Sequence, residues 1–257
     1  MKISTSIYIL TISLMAMACK SNESINGSEV VAEFPLNVGN SWTYNWTASN
    51  EDISEKLEHR VINIKIIGRG KVDGIETYEF ETVEDQEPEL VSIHHYFQDA
   101  QGLNLLAYKI SAITDANARS LRQMGVGLAS PWLLADGVVL SDDLILENPP
   151  KNIFNYPLEI GKEWSLWLND GVEIANKTVV SFEEVSVPAG IFNCYKIEYS
   201  GPWYESNQLK AIEYVSNIGL VKRVITSEVS LTDIDGNDLG TKVGSFTIEL
   251  EDYNIKN

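Results

Sequence analysis

Apolar and polar side chains alternate with a period of two along much of this chain. Ile62, Ile64 and Ile66 are separated by Asn63 and Lys65, and Phe246, Ile248 and Leu250 by Thr247 and Glu249. Successive side chains of an extended strand point to opposite faces, so this pattern predicts strands with one buried and one wetted face. Turn-forming clusters punctuate the runs at Lys71-Val72-Asp73-Gly74, Pro188-Ala189-Gly190 and Asp233-Ile234-Asp235-Gly236-Asn237. Glycine and aspartate there supply the positive φ that tight hairpins need. The prediction is an all-β, antiparallel protein. One stretch, 115–124, with Thr114 as a cap and Gly125 as a stop, reads as a helix.

The pattern repeats itself. Phe34-Pro35-Leu36-Asn37-Val38-Gly39-Asn40-Ser41-Trp42-Thr43 returns as Tyr156-Pro157-Leu158-Glu159-Ile160-Gly161-Lys162-Glu163-Trp164-Ser165. Gly74-Ile75 before Tyr78-Glu79-Phe80-Glu81 is echoed by Gly190-Ile191 before Tyr195-Lys196-Ile197-Glu198, and Gln101-Gly102-Leu103 by Ile218-Gly219-Leu220. Three landmarks in one order imply two tandem β units, 34–150 and 151–257, which would form curved sheets, an open barrel or a sandwich. The boundary is expected at Asn148-Pro149-Pro150-Lys151, where two prolines stiffen the chain.

Ahead of these units the composition changes. Lys2 is followed by a mostly apolar run from Ile7 to Met17 that ends in Ala16-Met17-Ala18-Cys19. This resembles a bacterial lipoprotein signal peptide, which implies that residues 1–18 are removed and that Cys19 carries the fatty acyl chains. The segment 19–33 is polar and without periodicity, as a flexible tether would be. A spanning helix needs about 18–20 apolar residues, and Thr11 and Ser13 interrupt a shorter run. Simple secretion is the closer rival, because Ala16 and Ala18 also suit a soluble export signal. One acyl chain holds a protein reversibly, whereas two or three hold it firmly.

Charge narrows the partners. With 37 acidic against 19 basic residues and a formal charge of −18, the chain would be repelled by nucleic acid and by anionic headgroups. Its only cysteines are Cys19 and Cys194; with Cys19 acylated, no disulfide is available. Cys194 lies in a strand-like stretch with no His or Asp beside it and reads as a small buried hydrophobe.

The candidate sites are few. Trp42, Tyr44 and Trp46 share one strand face and would make a sugar platform, but the second unit has Trp164, Leu166 and Leu168 there, so burial is the common property. Asp233, Asp235, Asn237 and Asp238 have the oxygen ligands of a calcium loop but lack its glycine and glutamate spacing; a Gly-containing hairpin turn is the favoured reading of the same residues. His94 and His95 point to opposite faces of a strand and so do not converge on one metal. No cofactor is called for. Gly201-Pro202-Trp203-Tyr204 puts two bulky aromatics directly after a turn, so Trp203 and Tyr204 are the expected ligand-binding residues, unless Trp203 folds back on the core.

The repeated opening, together with Val185-Ser186-Val187-Pro188-Ala189-Gly190-Ile191-Phe192 and Gly219-Leu220-Val221-Lys222, resembles a group of uncharacterised bacterial lipoproteins, Bacteroidota-like, and related β-barrel-like periplasmic domains. The resemblance spans most of residues 34–225 and implies an antiparallel curved sheet. It carries no catalytic residue to transfer. The leading expectation is a lipid-anchored envelope protein at the outer membrane, acting without catalysis as a binding or assembly module for an apolar ligand or an envelope protein partner. The alternatives are a glycan or lipid hydrolase using dispersed carboxylates and a structural subunit of a cell-surface complex.

Overall fold

The computed structural model describes residues 31, 33–50, 53–86, 88, 91–111, 141–206, 208–232 and 238–256. The leader, Cys19, the helix expected at 115–124 and Asp233, Asp235 and Asn237 lie outside them; Asp238 is described in backbone only.

Twelve strands are described: β1 (Ser41–Asn50), β2 (Ile53–Val72), β3 (Ile75–Glu84), β4 (Val91–Asp99), β5 (Gly102–Ser111), β6 (Ser141–Phe154), β7 (Glu163–Asn169), β8 (Val172–Val187), β9 (Gly190–Ser200), β10 (Leu209–Ser216), β11 (Gly219–Thr232) and β12 (Asp238–Asn254). A short helix, α1 (Pro202–Ser206), joins β9 to β10. All pairings are antiparallel and all strands belong to one sheet in the order β6-β5-β4-β3-β2-β1-β12-β11-β10-β9-β8-β7. Each half is thus a six-strand meander, and the first and last strands pair with each other. β6 and β7 end the order, yet they meet: the sheet curls until its edges touch and nearly closes a barrel. Wide sheets with a uniform twist tend to curl in this way.

The inner face is the core. Trp42, Tyr44 and Trp46 of β1 face inward with Ile62, Ile64 and Ile66 of β2, all at most 6% exposed, as the alternation predicts. Phe80, Tyr96, Leu105, Phe154, Val179, Ile197, Val215 and Leu250 continue this layer around the wall. Ahead of β1, Phe34 packs its ring 5.5 Å from Trp42 and 6.0 Å from Phe80, and buried Val31 accepts a hydrogen bond from the Leu158 N–H.

Turns follow their chemistry. Asp73 and Gly74 both have positive φ (47° and 83°) and form a two-residue hairpin loop between paired Val72 and Ile75. Asn148-Pro149-Pro150-Lys151 lies inside β6, whose pairing jumps from Leu146 opposite Ala107 to Lys151 opposite Leu105. Proline donates no ladder hydrogen bond, and a bulge on an edge strand is where that loss is tolerated.

Candidate functional site

Three inward positions break the apolar rule. Lys177 lies between Ala175 and Val179 on β8, Glu213 between Ala211 and Val215 on β10, and Arg223 between Val221 and Ile225 on β11. Period-two alternation sends all three to the inner face. There the Lys177 Nζ donates to Glu213 Oε2 at 2.8 Å, and Arg223 donates to Glu213 Oε1 through Nε at 2.9 Å and also through Nη2. Lys177 and Glu213 have fully buried side chains, and Arg223 is 2% exposed.

The cluster sits among rings. The Lys177 ammonium lies 4.6 Å from the ring centres of both Phe154 and Tyr199, a cation–π arrangement. Tyr44 donates its hydroxyl to the Leu220 carbonyl at 3.0 Å, and the buried Tyr156 hydroxyl lacks a partner among the described residues. Burial alone would raise the Glu213 pKa, but Arg223 and Lys177 beside it prevail and hold it below the usual carboxylate value. Burial draws Lys177 down to about 8 against the opposing pull of Glu213, so it stays charged at neutral pH. Burial alone would lower the Arg223 pKa, but Glu213, Tyr199 and Tyr204 together outweigh burial and push it further up.

The same ammonium helps to close the barrel. Among the described residues β6 and β7 share no backbone ladder. Instead Lys177 donates to the Ile153 carbonyl at 2.9 Å, and the Trp164 indole N–H donates to the Asn152 carbonyl at 3.1 Å. The seam is held by side chains.

Of the residues singled out in the sequence, Trp203 and Tyr204 lie beside this cluster. Trp203 and Tyr204 belong to α1, which packs on β8, β9 and β10. Tyr204 is 3% exposed and lies 5.2 Å from Tyr199 with the rings tilted by 55°, while half-buried Trp203 meets Tyr204 edge-on at 5.1 Å. Both join a small cluster with Ala175, Ala211, Trp167 and Leu209. The pair therefore caps the barrel beside Lys177. His94 faces inward, stacked 6.0 Å from Tyr108, and burial lowers its pKa to about 3; His95 faces outward against Thr77. Cys194 is buried and has its thiol pKa raised to about 12, chiefly by burial, so it is not poised as a nucleophile. Arg60 and Glu84 form a second buried ion pair at 3.0 Å, with Arg60 over the Trp46 ring. Among the described residues no group of acids, histidines and cysteines is placed to hold a metal.

The triad was not singled out in the sequence analysis. Its members lie 36 and 10 residues apart, without motif spacing. The available signal was a charge at an inward position of an otherwise apolar alternation.

A family model described as DUF3108-like matches residues 151–224, from the last residues of β6 into β11. No curated protein matches the chain. Among solved structures it is similar to a protein of YmcC-like fold from Bacteroides fragilis, with 14% identity, 87% of this chain and 99% of that one covered, and a TM-score of 0.36. It is also similar to a DUF1329 family protein from Desulfovibrio piger, with 12% identity, 86% and 87% covered, and a TM-score of 0.30. A LolA superfamily protein from Nitrosomonas europaea shares 10% identity over 88% and 89% of the two chains, with a TM-score of 0.27.

Proposed function

We propose that this protein is an envelope module, anchored through Cys19 at the outer membrane, which binds an apolar ligand inside its curled sheet and performs no chemistry on it. The observation that carries this reading is the seam. A twelve-stranded wall with an aromatic, apolar inner face ends in two strands joined by side-chain hydrogen bonds, so it can part there without losing any β pairing. A container for an apolar guest needs such a lining and such an entrance.

The hydrolase reading is less well supported. A carboxylate acting as general acid needs a raised pKa, whereas Glu213 is held low between two cations and Glu84 is paired with Arg60. Units 34–150 and 151–257 are read as copies of one six-strand element. In support, Gly39 donates to Ile66 and Gly161 to Val179, Ile66 to Asn40 and Val179 to Lys162, and Asn40 to Asn37 and Lys162 to Glu159.

The test is a ligand assay. A fluorescent apolar dye should bind the purified protein saturably at about one site, and long-chain lipids should displace it. Unsaturable, undisplaced dye would remove the binding reading.

A further inference from the structure

The buried triad does not balance. Two cations surround one carboxylate, leaving one surplus positive charge where side chains are at most 2% exposed. Burying an uncompensated unit charge is among the costliest arrangements in a protein interior. The other buried acid among the described residues, Glu84, is engaged by Arg60.

Hydrogen-bond donors are in surplus as well. An ammonium has three N–H groups and a guanidinium five. Lys177 uses two, on Glu213 and the Ile153 carbonyl, and Arg223 uses Nε and Nη2 on the same carboxylate oxygen. Close by, the Tyr156 hydroxyl is buried without a partner among the described residues and lies within the field of Glu213. Spare charge, spare donors and an unmatched hydroxyl together complement an oxyanion.

The surroundings select the rest of the molecule. Phe154, Tyr156 and Tyr199 enclose the cluster, so a bare inorganic anion would exchange water for rings, whereas an alkyl chain would gain from them. A dianion would reverse the imbalance instead of cancelling it. A path of contacts also leads outward from the Lys177 ammonium through Tyr199 and Tyr204 to half-buried Trp203.

Resting on the binding reading above, we propose that the ligand is an amphiphile with a single anionic carboxylate head, that Lys177, Arg223 and Tyr156 receive this head, and that Trp203 and Tyr204 cover it. The ligand class is that of long-chain fatty acids.

Calorimetry on the full-length chain, freed of bound lipid, tests this with palmitate, 1-hexadecanol and phosphatidylglycerol as probes. Palmitate should bind about tenfold tighter than hexadecanol, a difference of about 1.4 kcal/mol. Lys177→Met leaves a neutral Glu213–Arg223 pair; any loosening of the seam acts on both probes alike, and the tenfold preference for palmitate over hexadecanol should disappear. Should that variant fail to fold, Tyr156→Phe removes only a hydroxyl and should weaken palmitate about threefold, within the range for one hydrogen bond, without affecting hexadecanol. Equal binding of palmitate and hexadecanol, insensitive to both substitutions, would overturn the head-group assignment and leave apolar binding intact. Lys177-dependent binding of phosphatidylglycerol without palmitate would assign the head to a phosphodiester and overturn the carboxylate. Binding of none of the three would refute the binding reading itself.

Discussion

His94 illustrates what burial does to one side chain in this molecule. Its imidazole lies on the inner face between Tyr96 and Tyr108, and burial first, then neighbouring His95, lowers its pKa from 6.5 to about 3. The unfolded chain binds a proton near pH 6.5 and the folded chain refuses it until about pH 3. Stability from this group is therefore complete above pH 6.5 and lost as pH falls through that window, at up to about 1.4 kcal/mol per pH unit. His95, also lowered by burial, adds a loss of the same sign, and Glu213 adds its own only below the unfolded carboxylate value of 4.5. Urea melts at pH 7 and pH 5 should show a larger loss for the wild type than for His94→Phe. Equal losses would rule out His94 as the source.

At the level of strands and turns, two glycines separate strain from collision. Gly74, with φ of 83°, has open space where a Cβ would point. Gly102, with φ of 125°, has the Phe154 carbonyl there, because β5 and β6 approach closely at that point. Gly74→Ala should cost about 1 kcal/mol, the penalty of left-handed backbone, and Gly102→Ala clearly more, since backbone must also move. Thermal melts of the two variants would reverse this account if Gly74→Ala proved the more damaging. Strand identity was legible at this scale because period-two alternation is a local property: Ile62, Ile64 and Ile66 face inward as their spacing predicts. The place of the prolines was not, since Pro149 and Pro150 look like a linker in sequence and become a bulge only because β5 offers a partner on one side.

For the whole molecule, the pairing of β1 with β12 matters most. It joins the first strand of one half to the last of the other, and the main core cluster draws on both halves. Fragments 34–154 and 155–257, expressed separately, should therefore lack cooperative thermal transitions by circular dichroism, although each holds six whole strands. A cooperative melt from either alone would show independent units. The anchor is tested at the same scale. Labelled palmitate should enter the wild type and not Cys19→Ala, and equal incorporation would end the lipoprotein assignment.

The chain's own letters determined the antiparallel all-β class, the strand faces, the hairpin at Asp73-Gly74 and the inward stripe of Trp42, Tyr44 and Trp46. Each of these depends on neighbours within a few residues. Only the tertiary structure decided that the strands form one curled sheet, that β6 and β7 meet along a side-chain seam, and that Lys177, Glu213 and Arg223 converge. Strand order and curvature arise from pairings between distant segments, and a charge on an inward face has no visible partner until those pairings bring one beside it.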